Sequence, residues 1–371
     1  MIKNKKGFDL MNSFSFVGKI IPIKDKDTFK GYTEQVYDSG WMKQRLVFNV
    51  VSGDSRNLVE INAGKWQDDS KNSTIYTMSK ASEGKQSEKI EIPWNERNNP
   101  KEIEKVAGYR VFTADTDFYA HRQELEKNGD TEALEASNKK RKHFIAGTDF
   151  CDYAKKIVYS DKIKDWVFRV NGNIVYSYSE KTGRYYMAYE VNKIYRVDES
   201  TEPITDINME FFFAEGFMDK DSIEETGKAI MSGFTPFYDQ NTKKNWFCPV
   251  AIVDRDDVEH INLTEELLNN FEDTEICKAV IKCQAINGAQ KRDIKIEDLD
   301  ERTQKAVKAG LMDEKTAIRN AGGQMYGERI QEIRFDKLIE NSEPTTYTLE
   351  NCMKKPHKQE ETIDIFAEDD I

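Results

Sequence analysis

VFRVNGNIVYSY, Val167 to Tyr178, followed across Lys181-Thr182-Gly183 by RYYMAYEVNKIYRV, Arg184 to Val197, is the stretch on which the fold turns. Apolar and polar residues alternate through both halves with a period of two, as a half-buried strand requires, because successive strand side chains point to opposite faces. Asn171-Gly172 is expected to form a tight turn within the first half. The same alternation recurs upstream in SFSFVGKIIPI from Ser13, in RLVFNVVSG (Arg45 to Gly53) and NLVEINAG (Asn57 to Gly64), and in GYRVFTA (Gly108 to Ala114). NMEFFFAEGF and NWFCPVAIVD add strands downstream. The predicted fold class is α+β and β-rich.

Helical composition occupies the intervals. Asp117 to Lys142 is rich in Glu, Ala, Leu, Lys and Arg, with Gly129-Asp130 dividing it, and Asp149 to Ile157 continues as helix. Leu263 to Ala285 and Ile296 to Asn320 also read as helices, whereas Gly327 to Glu340 fits either state. Lys65 to about Pro100 is polar and reads as a long loop. At 371 residues two domains are comfortable. The predicted organisation is a β-rich lobe over 12–115, a helical connection over 116–160, a second β-rich lobe over 161–258, a helical C-terminal region over 259–342, and a linker and tail over 343–371.

Charge has to be read locally. The formal net charge is −12, but residues 358–371 (KQEETIDIFAEDDI) hold six acids and one Lys. Asp161 to Arg196 holds seven Lys/Arg against four Asp/Glu, and Val17 to Val50 holds six against four. The least acidic strand-like stretches are thus also the most aromatic. With 33% charged residues the chain has much solvated surface, and no apolar run approaches the ~20 residues that cross a bilayer. The N-terminus lacks the apolar core of a secretory signal, so a cytoplasmic location is expected. Five cysteines without a CxxC pair read as reduced thiols, and four scattered histidines predict no metal site.

Tyr176 and Tyr178 can share one strand face, as can Tyr185 and Tyr189, with Tyr186 opposite; Arg184, Lys193 and Arg196 flank them. Such a face could stack bases while the cations hold phosphates, because every base has a π-face. The competing reading is that tyrosines favour strands and pack against neighbours. Trp41 with Lys43 and Arg45, Trp66 with Lys65, and Trp246 with Lys243 and Lys244 offer the same chemistry near loops. Asp254-Arg-Asp256-Asp257 and Asp115-Thr-Asp117 carry the hard oxygens Mg²⁺ prefers, but such clusters also serve as caps and turns. No phosphate-binding glycine loop and no nucleophile elbow occur. In the tail, Asp364, Ile365, Phe366, Asp369, Asp370 and Ile371 could insert an apolar anchor into a cation-rimmed pocket of another protein.

These β-aromatic-basic units, followed by an acidic Phe-bearing C-terminus, resemble the single-stranded DNA-binding proteins, particularly those encoded by phages. The resemblance implies one or two oligonucleotide-binding (OB)-like β-barrels with inserted helices and a disordered acidic tail that recruits replication or recombination proteins. The ending Asp369-Asp370-Ile371 departs from the Asp-Asp-Ile-Pro-Phe of bacterial members. The implied function is binding of single-stranded DNA without sequence preference, with no enzymatic activity, cofactor or membrane partner, in the host cytoplasm. Two alternatives remain: a non-enzymatic phage structural or assembly adaptor, and a metal-dependent nuclease built on the Asp254 cluster.

Overall fold

The computed structural model describes residues 12–25, 29–81, 86–223, 228–254, 258–271, 274–293, 296, 299–320 and 324–356. The tail residues Asp364, Ile365, Phe366, Asp369, Asp370 and Ile371 lie outside the described residues. Among the described residues, sixteen strands form: β1 (Ser13–Pro22), β2 (Tyr32–Val36), β3 (Trp41–Ser52), β4 (Ser55–Trp66), β5 (Thr74–Met78), β6 (Lys89–Pro93), β7 (Phe112–Asp115), β8 (Arg141–Phe144), β9 (Val167–Ser179), β10 (Arg184–Val197), β11 (Ile204–Ala214), β12 (Met218–Asp219), β13 (Ile230–Asp239), β14 (Lys244–Val253), β15 (Ile276–Asp293) and β16 (Gln324–Pro344). Fourteen belong to one large mixed sheet, and β5 and β6 pair with each other. The architecture is α+β and dominated by strands.

Within that sheet the pairings close on themselves twice. β1 pairs with β3, β3 with β4, β4 with β10, β10 with β9, and β9 with β1. Likewise β11 pairs with β13, β13 with β14, β14 with β16, β16 with β15, and β15 with β11. The two rings have the same connectivity: a first strand, a hairpin, a helix and a second hairpin. The helices are Gly147–Val158 in the first ring and Val258–Leu268 in the second. Each ring closes through a parallel contact, Glu60 with Glu190 in one and Val253 with Arg334 in the other. The rings adjoin where Ser13 to Val17 of β1 pairs with Ile204 to Asn208 of β11.

Period-two alternation explains the interior. Met42, Gln44, Leu46, Phe48 and Val50 of β3 point inward, as do Phe168, Val170, Ile174 and Tyr176 of β9. Helix Gly147–Val158 buries Phe150, Cys151, Ala154, Ile157 and Val158 against them. In the second ring Phe211, Phe213, Met231, Ile252, Ile281 and Cys283 are buried and belong to the same continuous core. Full burial of one such large side chain contributes roughly 1.5–3 kcal/mol.

Several expectations need correction. Asn171-Gly172 is not a turn but the middle of β9. A Cβ on Gly172 would meet the Glu190 carbonyl oxygen at 1.9 Å and the Phe14 ring at 2.7 Å, so the glycine permits a close approach of strands. The reversal comes later, between Ser179 and Arg184, where Gly183 has φ 64° and its N–H donates to the Ser179 carbonyl at 2.8 Å. β9 and β10, expected in the second lobe, complete the first ring. The helical C-terminal region over 259–342 is largely the β15–β16 hairpin: helix ends at Leu268, and Ile276 to Asp293 is strand. Cys277, Ala279, Ile281, Cys283 and Ala285 alternate inward there, while Ala279, Ala285, Lys278, Lys282 and Gln284 are good helix formers and imitate helical composition. The polar stretch after Lys65 carries β5 and β6, whose Ile92 joins Val106 and Ile145 in a separate small core. Among the described residues no helix is long and apolar enough to cross a membrane.

Candidate nucleic-acid interface

The outward faces of β3 and β4 bring four of the expected site residues together. Trp41 opens β3 and stands in register with Trp66, which ends β4. Their rings meet edge to face at 5.3 Å, and Trp41 is 36% exposed. Gly64 lies beneath Trp41, since a Cβ there would sit 2.5 Å from the indole. Lys43 is exposed opposite Gly64, and Arg45 lies opposite Asn62. Lys71, in the turn just after β4, holds its ammonium 5.6 Å from the Trp66 ring centroid. Lys65 is level with the buried Met42 and alternates to the other side of β4 from Trp66, so it is not part of this face.

An amide and two carboxylates occupy the middle of the face. Glu60 accepts from Arg45 Nε at 2.8 Å and Nη2 at 2.6 Å, so the guanidinium is already paired. Asn62 Nδ2 donates to Glu60 at 2.7 Å and to Glu190 at 3.2 Å, bridging the strands where the ring closes. The Asn62 carbonyl is buried with no partner among the described residues. Burial, and then the neighbouring Glu60 charge, push the Glu190 carboxyl above its usual range. Continuing along β10, Tyr186 and Arg184 are exposed, and the Tyr186 hydroxyl lies 3.1 Å from Thr182 Oγ1.

The tyrosine platform expected from sequence is corrected. Tyr176 and Tyr189 are core residues, 5% and 9% exposed, and Tyr189 packs edge-on against Phe14 and Phe16. Tyr178 and Tyr185 meet each other at 4.9 Å and lean on the core, Tyr185 reaching Phe237 of the second ring. Strand alternation placed these rings together as anticipated, but on the inner face, where burial of large aromatic area outweighs any surface role. Arg196 is likewise occupied: its guanidinium stacks 3.9 Å from the Trp166 centroid and pairs with Glu199 at 3.5 Å. Lys193 lies elsewhere, in the cleft between the rings.

Lys243, Lys244 and Trp246 sit at the β13–β14 turn, away from the β3–β4 face. Lys243 takes the left-handed φ of 53°, and Trp246 is half-buried with its indole N–H donating to Thr242 at 2.7 Å. A cavity of about 400 Å³ separates this turn from the β9–β10 turn and is bounded by Pro356, immediately before the tail.

The acidic clusters are structural in their described parts. Asp115 is clamped by Arg122 at 2.7 and 2.8 Å and by Arg141 at 2.8 Å. Burial pushes the Asp117 carboxyl up, but hydrogen bonds from Ser137, Lys140 and His121 outweigh it and bring the pKa to about 2. Asp254 is buried with His260 3.2 Å away, while Asp256 and Asp257 lie outside the described residues. No trio of His, Cys, Asp or Glu among the described residues is arranged to hold a metal ion.

Sequence reasoning missed Asn62, Glu60, Glu190 and Lys71. The first three were legible in principle as outward positions of predicted strands, but the closure of β4 on β10 that joins them is not a local signal.

No known protein family matches the sequence, and no curated protein does. Among solved structures, the chain aligns with the wild-type single-stranded DNA-binding protein of Thermus aquaticus at 9% identity and TM-score 0.30, over 75% of this chain and 86% of that one. A deletion mutant of the same protein aligns at 9% identity and TM-score 0.30, over 75% and 87%. At that TM-score the alignments carry no inference about this chain.

Proposed function

We propose that the chain binds single-stranded DNA without sequence preference, each strand ring serving as an OB-like barrel and the outer face of β3 and β4 as the first contact surface. The observation that carries this reading is the solvent-facing Trp41–Trp66 pair with Lys43 and Lys71 beside it. Two indoles at the rim of a sheet offer stacking surface worth ~1–3 kcal/mol per base, and the ammonium groups neutralise phosphates without reading sequence. Nothing in the proposal requires bond cleavage. The setting is phage-like replication or recombination in the cytoplasm, with residues 358–371 recruiting partner proteins. Their six acids also compete with DNA for basic surface, so deleting 358–371 is expected to tighten binding at low salt.

The test is titration of labelled single- and double-stranded oligonucleotides at two salt concentrations with Mg²⁺ present and the products run on a gel. Preferential single-strand binding that weakens with salt by a slope of about 0.7 per phosphate contact, with intact DNA, supports the proposal. Binding indifferent to salt contradicts it. Burial of Tyr176 and Tyr189 favours a second reading, an assembly adaptor whose aromatic strands are core. Such a protein would leave the oligonucleotides free under all these conditions.

A further inference from the structure

Between the two rings lies a cleft of about 980 Å³ that the stacking face does not explain. Its floor is a continuous sheet surface running from β10 through β9, β1, β11 and β15 to β16, and register fixes which side chains line up across it. One row places Lys193 beside Asn171, then Ser15, Asp206 and Gln284. The adjacent row places Asn173 beside Ser13, then Asn208, Lys282 and Lys337. Six strands at the usual ~4.8 Å spacing make this surface about 24 Å wide.

The composition of this surface is selective. It carries small hydroxyl and amide groups in the middle, Lys193 at one end and Lys337 at the other. Its acid, Asp206, is neutralised by Lys282 at 2.8 Å. Arg110 adds a further cation at the rim. The outward positions of these two rows hold no aromatic ring, so the rows themselves do not stack bases; the exposed Tyr109 lines the same cleft beside Arg110. Hydroxyls, amides and ammonium groups are the side chains that contact phosphate oxygens. The bulge at Asn192 bends β10 at the edge of the cleft, and the strand leads back through Glu190 to the stacking face.

We propose that this cleft holds the sugar-phosphate backbone of a single nucleic-acid strand, carrying the footprint from the first ring onto the second. The inference rests on the nucleic-acid reading above for the identity of the polyanion, but it assigns a distinct surface with distinct chemistry. Bases stack on Trp41 and Trp66; the two rows of the cleft floor engage the backbone.

An oligonucleotide built of abasic residues separates the two surfaces. Fluorescence anisotropy with the full chain should show salt-dependent binding of the abasic strand. Lys193→Gln and Lys337→Gln should each weaken it and lower the salt slope by about 0.7. Trp41→Ala should weaken oligothymidine selectively. Thermal melting of each variant excludes unfolding as the cause. Failure of the wild-type protein to bind the abasic strand, or binding that both lysine variants leave unchanged, overturns the cleft. If the abasic strand depends on the lysines while Trp41→Ala leaves oligothymidine unaffected, the cleft stands and the stacking face fails.

Discussion

The first and second rings share one connectivity, yet their equivalent outer faces differ in chemistry. On the first, the hairpin β3–β4 shows solvent Trp41 and Lys43 beside the half-buried Trp66. On the second, the hairpin β13–β14 borders an apolar groove of about 500 Å³ lined by Phe217, Phe234, Pro249, Val250 and Leu349. The segment after β16 packs there: Tyr347 meets Phe247 at 5.1 Å and Phe212 at 5.9 Å, and Cys352 is buried in the same cluster. The same backbone closure thus supports an open aromatic-basic face in one ring and a face partly covered by the chain itself in the other. Topology sets where a face lies, and a handful of outward side chains sets what it can bind.

The largest effect should come from breaking either ring's interior. Phe48→Ala in the first and Phe213→Ala in the second should each cost about 3–5 kcal/mol by denaturant unfolding, because both side chains are fully buried. A small cost at one alone would show that the two interiors are not equivalent. Next, the two outer faces should respond oppositely. Trp41→Ala combined with Trp66→Ala should weaken single-stranded DNA binding by ~1–3 kcal/mol per stacked base with little change in melting. Tyr347→Ala should lower the melting temperature and leave DNA affinity unchanged. Loss of DNA affinity in the Tyr347 variant would place nucleic acid on the second ring's face instead.

A subtler effect concerns the steric floor of the stacking site. Gly64→Ala should push the Trp41 indole off the sheet, weakening binding and shifting tryptophan emission, because its methyl would fall 2.5 Å from the ring. The smallest effect follows from charge. The Glu190 carboxyl is raised by burial and by Glu60, so it loses its negative charge before ordinary carboxylates as pH falls. Affinity for DNA should therefore rise on mild acidification, and Glu190→Gln should show that gain already at neutral pH. A pH profile identical in the variant and the wild type would remove Glu190 from the interface.

The strands of the first ring were legible because their apolar positions alternate over ten or more residues, as in β1, β3, β9 and β10. Legibility failed where composition imitated another state. The Ala, Lys and Gln residues of β15 looked helical, and Asn171-Gly172 looked like a turn because the pressure on Gly172 comes from Glu190 and Phe14, remote in sequence. For the site, alternation correctly grouped the tyrosines of β9 and β10 but could not say which face was inside. That choice is made by Phe14, Phe16 and Phe237, which only the closed ring brings near. Trp41 and Trp66 were recognisable singly through their position near loops, while their pairing required the register of a hairpin of two twelve-residue strands.

Photo-crosslinking tests the central claim most directly. Oligothymidine substituted with 5-iododeoxyuridine, irradiated with the full chain and mapped by mass spectrometry, should give adducts at Trp41 or Trp66. Adducts confined to Trp246 and the second ring, with none on β3 or β4, would contradict the account.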